Sequence, residues 1–190
     1  MEIFEAIRNR RSIRHYKNEP VDDDTVYKVL EAAHWAPSWK NTQCWRFIIV
    51  RDTETRAKIA DNLVKVKFDN ELIDNASSVA IKQAPVLIVI CAEVGKAGYG
   101  TEGTPVTDKG DWFMFDIALA MENLVLAAHA LGLGTVIVGG FDAGKTAGIL
   151  GVPEGLTVVA MTPLGFPERK GQISPRKDLS EVIFHEKYHK

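Results

Sequence analysis

Six consecutive apolar residues, Val86-Leu87-Ile88-Val89-Ile90-Cys91, follow Pro85 and constrain the fold more than any other stretch. No position in the run alternates toward water, so it fits a strand covered on both faces. Residues 111–131 carry the longest helical pattern, apolar nearly all round from Ile117 onward. This predicts a helix buried on most of its sides and closed by a left-handed cap at Gly132. Helices are also expected over residues 2–9, 54–66 and 143–150. Another begins at the caps Asp22 to Asp24 and stops before Pro37. Strands are expected over 46–50, 135–138 and 156–164, while 67–82 reads as ambiguous between helix and loop. Residues 93–110 hold five glycines and a proline, a connection long enough to serve as a lid over a site. One domain, residues 1–190, is the natural reading for this length.

The formal net charge is -2, so no general attraction to nucleic acid is expected. Positive charge is instead local. Arg10-Arg11-Ser12-Ile13-Arg14 packs three cations and a hydroxyl into five residues after the first helix. In extended chain Ser12 and Arg14 point the same way, and with Arg10 they can converge on one small anion such as a phosphate. The competing reading is a solvated basic turn. Cys44 and Cys91 lack CxxC spacing and read as packing residues. Neither a signal peptide nor a membrane span is expected, which makes a cytoplasmic protein the default.

Residues 139–146, Gly-Gly-Phe-Asp-Ala-Gly-Lys-Thr, match the P-loop pattern between a strand and a helix. Against that reading, the helix that follows is short, the position is late in the chain, and no strand ends in an obvious magnesium-binding aspartate. Five histidines (His15, His34, His129, His185, His189) show no metal-ligand spacing, and His129 reads as a hydrogen-bonded core residue. Trp39 and Trp45 read as core or as a stacking surface for a flat ligand. No serine sits in a G-x-S-x-G elbow, so hydrolase chemistry has no support.

Arg10-x-Ser12-x-Arg14, followed by Pro37-Ser38-x-x-Asn41-x-Gln43-x-Trp45, resembles the FMN-dependent nitroreductase family. The agreement continues through Gly132-Leu133-Gly134-Thr135, Gly139-Gly140-Phe141-Asp142, Pro163-Leu164-Gly165 and Arg176-x-x-Leu179-x-Glu181. The resemblance implies an α+β fold, a mixed central sheet wrapped by helices, in an intertwined homodimer with exchanged C-terminal tails. It implies non-covalent FMN, NAD(P)H as electron donor and a small-molecule acceptor such as a nitroaromatic or quinone, turned over by ping-pong hydride transfer. By the same resemblance Arg10, Arg11, Ser12, Arg14 and Arg176 hold the phosphate end. Ser38, Trp39 and Asn41 contact the flavin ring, usually from the other subunit, and Gly139 and Gly140 line the ring edge. No catalytic side chain is implied, because FMN carries the chemistry. Arg169 falls outside the matched motif, and the family's mid-chain asparagine and lysine have no clear match between Phe68 and Gln83. Alternatives are flavin reduction or reductive dehalogenation on the same scaffold, a P-loop nucleotide hydrolase, and a non-enzymatic FMN-binding protein.

Overall fold

The computed structural model describes residues 1–188, so His189 lies outside the described residues. Its centre is β4 (Val86–Glu93), whose residues from Val86 to Ala92 are wholly shielded from solvent. β1 (Trp45–Val50) pairs antiparallel along one edge of β4 and β6 (Leu156–Gly165) along the other. β5 (Gly134–Thr135) pairs with the far side of β6. Successive side chains of a strand face opposite ways, and β4 divides accordingly. Val86, Ile88, Ile90 and Ala92 pack with α2 (Asp23–His34) and α5 (Phe113–Ala130). Leu87, Val89 and Cys91 pack with α3 (Thr53–Asp61), α4 (Ser77–Gln83) and α6 (Ala143–Leu150). Helices on both faces of one sheet thus use the apolar run without a wetted side. The named strands pair antiparallel, and a parallel bridge between Ser12 and Thr135 makes the sheet mixed. α1 (Ile3–Asn9) precedes that bridge.

Three expectations are corrected. The helix expected to reach residue 66 ends at Asp61. Asn62 donates to the Asp142 carbonyl at 2.9 Å and to Thr146 Oγ1 at 3.0 Å, and the Val64 N–H donates to Gly140 at 2.8 Å. Tertiary partners therefore take the chain before the helix can continue. The ambiguous region contains a hairpin, β2 (Val66–Phe68) and β3 (Glu71–Ile73), turned by Asp69 and Asn70 at φ 45° and 67°. Left-handed Asp/Asn pairs favour such two-residue turns. Finally, the helix expected from residue 111 begins at Phe113, and Met114 and Phe115 in its first turn are exposed. Its length and mean hydropathy of 1.4 would by themselves suit a membrane, but its buried residues, from Asp116 to Ala128, face the sheet and α2.

Candidate active site

The first element of the site is assembled by two close backbone approaches. The Ile13 N–H donates to the Thr135 carbonyl at 2.8 Å, which seats residues 12–13 beside β5. A Cβ on Gly134 would lie 2.8 Å from that of Ile13, so only glycine permits this contact. Beyond β6 the chain turns back along residues 15–17, with Glu168 N–H donating to His15 at 3.0 Å. It then crosses Arg11 at Gly171, where a Cβ would come within 2.4 Å of the arginine's own.

These approaches leave a cleft of about 890 Å³ between residues 7–15 and 169–176. Arg8, Arg10, Arg11 and Arg14 line one wall; Arg169, Lys170 and Arg176 line the other, and no carboxylate lines either. Among the described residues none of these seven cations forms an ion pair. Arg11 Nη1 donates to the carbonyls of Arg8 at 2.6 Å and Arg10 at 2.7 Å, which fixes the side chain, while its Nε is buried without a partner. The structure thus brings Arg10, Arg11, Ser12, Arg14 and Arg176 together, and adds Arg169 from outside the matched motif.

The Pro37–Trp45 loop forms a second element, away from that cleft in the same chain. Lys40, Asn41 and Gln43 all adopt positive φ (44°, 56° and 47°), a conformation side chains disfavour. The loop is held from within: Gln43 N–H donates to Ser38 Oγ at 3.0 Å and its side-chain amide to Asn41 Oδ1 at 3.2 Å. From below, Asp116 on α5 accepts the Trp39 N–H, 3.1 Å from each carboxylate oxygen, and the Cys44 thiol at 3.7 Å. Asp116 is 1% exposed, and burial pushes its carboxyl above the usual range against the pull of these hydrogen bonds. Burial, with the Asp116 charge second, pushes the Cys44 thiol up to about 11. Cys44 therefore does more than fill space. Trp39 packs on Trp112, the last residue before α5, with ring centres 5.5 Å apart, and Trp112 on Phe115 at 5.2 Å. The 93–112 connection thus ends against this loop.

Gly139 and Gly140 lie at the end of residues 136–138, about 13 Å of extended chain from Thr135. Neither has positive φ, and a Cβ on Gly139 would meet nothing. Their value here is open space rather than a glycine-only backbone. The Asn75 amide lies 3.6 Å from where a Gly140 Cβ would be, and its Oδ1 accepts the Ser77 N–H at 2.9 Å. Asn75, which follows the β2–β3 hairpin, is thereby set beside the Gly139–Gly140 turn.

The P-loop reading fails on geometry. Asp142 caps α6 through the Lys145 N–H at 2.9 Å, so a carboxylate occupies the position a phosphate would need. Thr146 is fully buried, its hydroxyl donating to the Asp142 carbonyl at 2.8 Å and accepting from Asn62, which leaves nothing for magnesium. His129 is half-buried, and its Nε2 has no partner among the described residues, contrary to the expected core hydrogen bond. Burial and the nearby Arg10 and Arg11 charges hold its pKa down. Among the described residues no cluster could hold a metal.

The nitroreductase family model matches residues 7–166. This chain belongs to the nitroreductase family. A Methanothermobacter thermautotrophicus protein with the provisional name NADH dehydrogenase/NAD(P)H nitroreductase is 33% identical over 171 residues, covering 88% of this chain and 78% of its own. A nitroreductase family protein of Clostridium novyi NT has a solved structure with TM-score 0.75 and 33% identity over 88% of both chains. A Desulfovibrio desulfuricans structure solved in complex with FMN gives TM-score 0.75 and 29% identity, covering 100% of this chain and 99% of its own. As a member of this family the chain is an NAD(P)H-dependent oxidoreductase whose cofactor is FMN. The residues present fit that cofactor: the cleft offers a buried guanidinium N–H without a partner, and the Gly139–Gly140 turn offers open backbone.

Proposed function

We propose that this nitroreductase takes electrons from NAD(P)H and passes them to a nitroaromatic, quinone or related small acceptor, the two using one pocket in turn. Bound FMN would supply the two-electron redox chemistry. The carrying observation is the unpaired cation cleft around Ser12, with Arg11 Nε buried and unsatisfied. Arg10, Arg11, Arg14 and Arg176 would grip the phosphate with charge-assisted hydrogen bonds, and Ser12 would add a hydroxyl. Gly139 and Gly140 would lie along the ring edge with Asn75 beside them. Ser38, Trp39 and Asn41 would complete the pocket of a partner subunit, since within one chain they lie away from the cleft.

Dimer formation has its own support. The chain exposes 11944 Å², whereas a monomer of 21.0 kDa is expected to expose about 9000 Å². The excess includes Ile3, Phe4 and Ile7 of α1, Met114 and Phe115 of α5, and Leu179, Val182, Ile183 and Phe184 of the tail. Obligate interfaces bury about 2,000–5,000 Å². The tails would cross to the partner and cover such surface.

The test is direct. The purified protein should be yellow and release one FMN per subunit on denaturation, identified by mass. Its initial rates with NAD(P)H and a quinone should give parallel double-reciprocal lines. Colourless protein that takes up no FMN would refute the cleft assignment; intersecting lines without substrate inhibition would refute the shared pocket.

A further inference from the structure

The cleft holds more positive charge than FMN can use. A phosphate monoester brings at most about two negative charges, against seven cations. Four arginines and Ser12 already exceed what its oxygens need. Arg8, Arg169 and Lys170 are left over; all three are exposed and line the same cleft. Like charges held together repel, and clefts of one sign concentrate counter-ions. The excess is local: the other large groove, between α2 and β1, mixes Asp24 and Glu31 with Lys28 and Arg46.

The reaction itself brings a second polyanion, the reduced dinucleotide. Both donors carry a pyrophosphate, but only NADPH adds a phosphate at the adenosine 2′ position. We propose that Arg169 and Lys170, with Arg8 of the same cleft, form a second phosphoryl subsite beside that of FMN. It takes the 2′-phosphate of NADPH and makes NADPH the preferred donor. This rests on the FMN assignment of the cleft made above. An arginine fork matches phosphate oxygens bidentately and a lysine adds a point charge. NADH presents a hydroxyl there and leaves these cations unanswered.

Arg169→Gln, Lys170→Gln and the double variant remove exposed charges, so the fold is not at risk. The FMN-loaded protein is titrated calorimetrically with 2′,5′-ADP and with 5′-AMP, and kcat/KM is measured for NADPH and NADH. Wild type should bind 2′,5′-ADP about ten- to a hundredfold more tightly than 5′-AMP and prefer NADPH by a similar factor. The double variant should lose both preferences while its NADH rate and FMN content stay near wild type. Flavin-loaded wild type with no preference for 2′,5′-ADP overturns the subsite alone. Loss of FMN in the variants assigns these cations to the FMN clamp and also overturns it. Release of FAD instead of FMN overturns it too, by giving the surplus charge a pyrophosphate already bound. Protein that takes up no flavin sinks the cleft assignment and the subsite with it.

Discussion

A buried carboxylate with no cation beside it is costly, and Asp116 is such a group. What it obtains is the Trp39 N–H and the Cys44 thiol, which fix a loop carrying three side-chain residues at positive φ. Asp116→Ala should leave the Trp39 N–H unanswered and cost about 1–3 kcal/mol in chemical denaturation. Asp116→Asn keeps an acceptor and drops the charge. The native pKa of Asp116 is raised above 3.8, so its stabilising contribution is full below that value and drains as pH rises through the native one. The Tm of Asp116→Asn relative to wild type should therefore rise with pH across that window and then level off; a constant difference would contradict the assignment. Lys145 illustrates the opposite case. It is 74% exposed and lies 3.7 Å from Asp142, so Lys145→Ala should cost under ~1 kcal/mol and leave NAD(P)H-dependent turnover near wild type. Magnesium-dependent ATP or GTP hydrolysis lost in that variant would revive the P-loop reading.

The cleft is made by how the segment after β6 lies on the segment after α1, and Gly171 is where they touch. Gly171→Ala puts a Cβ where Arg11 already stands, 2.4 Å away, so the return segment must lift and the walls part. FMN affinity should fall, by about 1–3 kcal/mol if the segment shifts as an overpacked site does, while the sheet core melts near its usual temperature. Unchanged affinity on titration of apoprotein would show that the cleft tolerates the shift. Arg14→Ala and Arg176→Ala, one on each wall, should each weaken FMN by roughly 2–5 kcal/mol if their ion contacts are desolvated. Two variants that titrate like wild type would place the phosphate elsewhere.

For the whole molecule, the exposed apolar residues of α1, α5 and the tail are the surface a partner subunit would cover in the proposed dimer. Deleting residues from Leu179 onward removes the tail without entering any packed element of the sheet domain. The truncated protein should lose dimer and flavin together, read by sedimentation and by absorbance of the visible flavin band. A soluble, flavin-loaded monomer would rule out tail exchange.

Local chemistry in the chain determined a good deal of this structure. The run at Val86 fitted a strand with both faces covered, and β4 is that strand. Asp22, Asp52 and Asp142 cap helices because a carboxylate satisfies free N–H groups wherever a helix starts. Ser12 and Arg14 share a cleft because alternate residues of extended chain point one way. The tertiary structure decided what depends on partners far along the chain. α3 stops at Asp61 because Asn62 and Val64 bond to residues 140–146, some 80 positions away. Arg169 and Lys170 reach the cleft only because Gly171 lets the returning chain lie on Arg11. Asp116 holds the Trp39 loop across 77 residues, a pairing with no spacing to announce it. The outer face of α5 is apolar but exposed, since helical periodicity reports that a side chain avoids water, not which surface covers it.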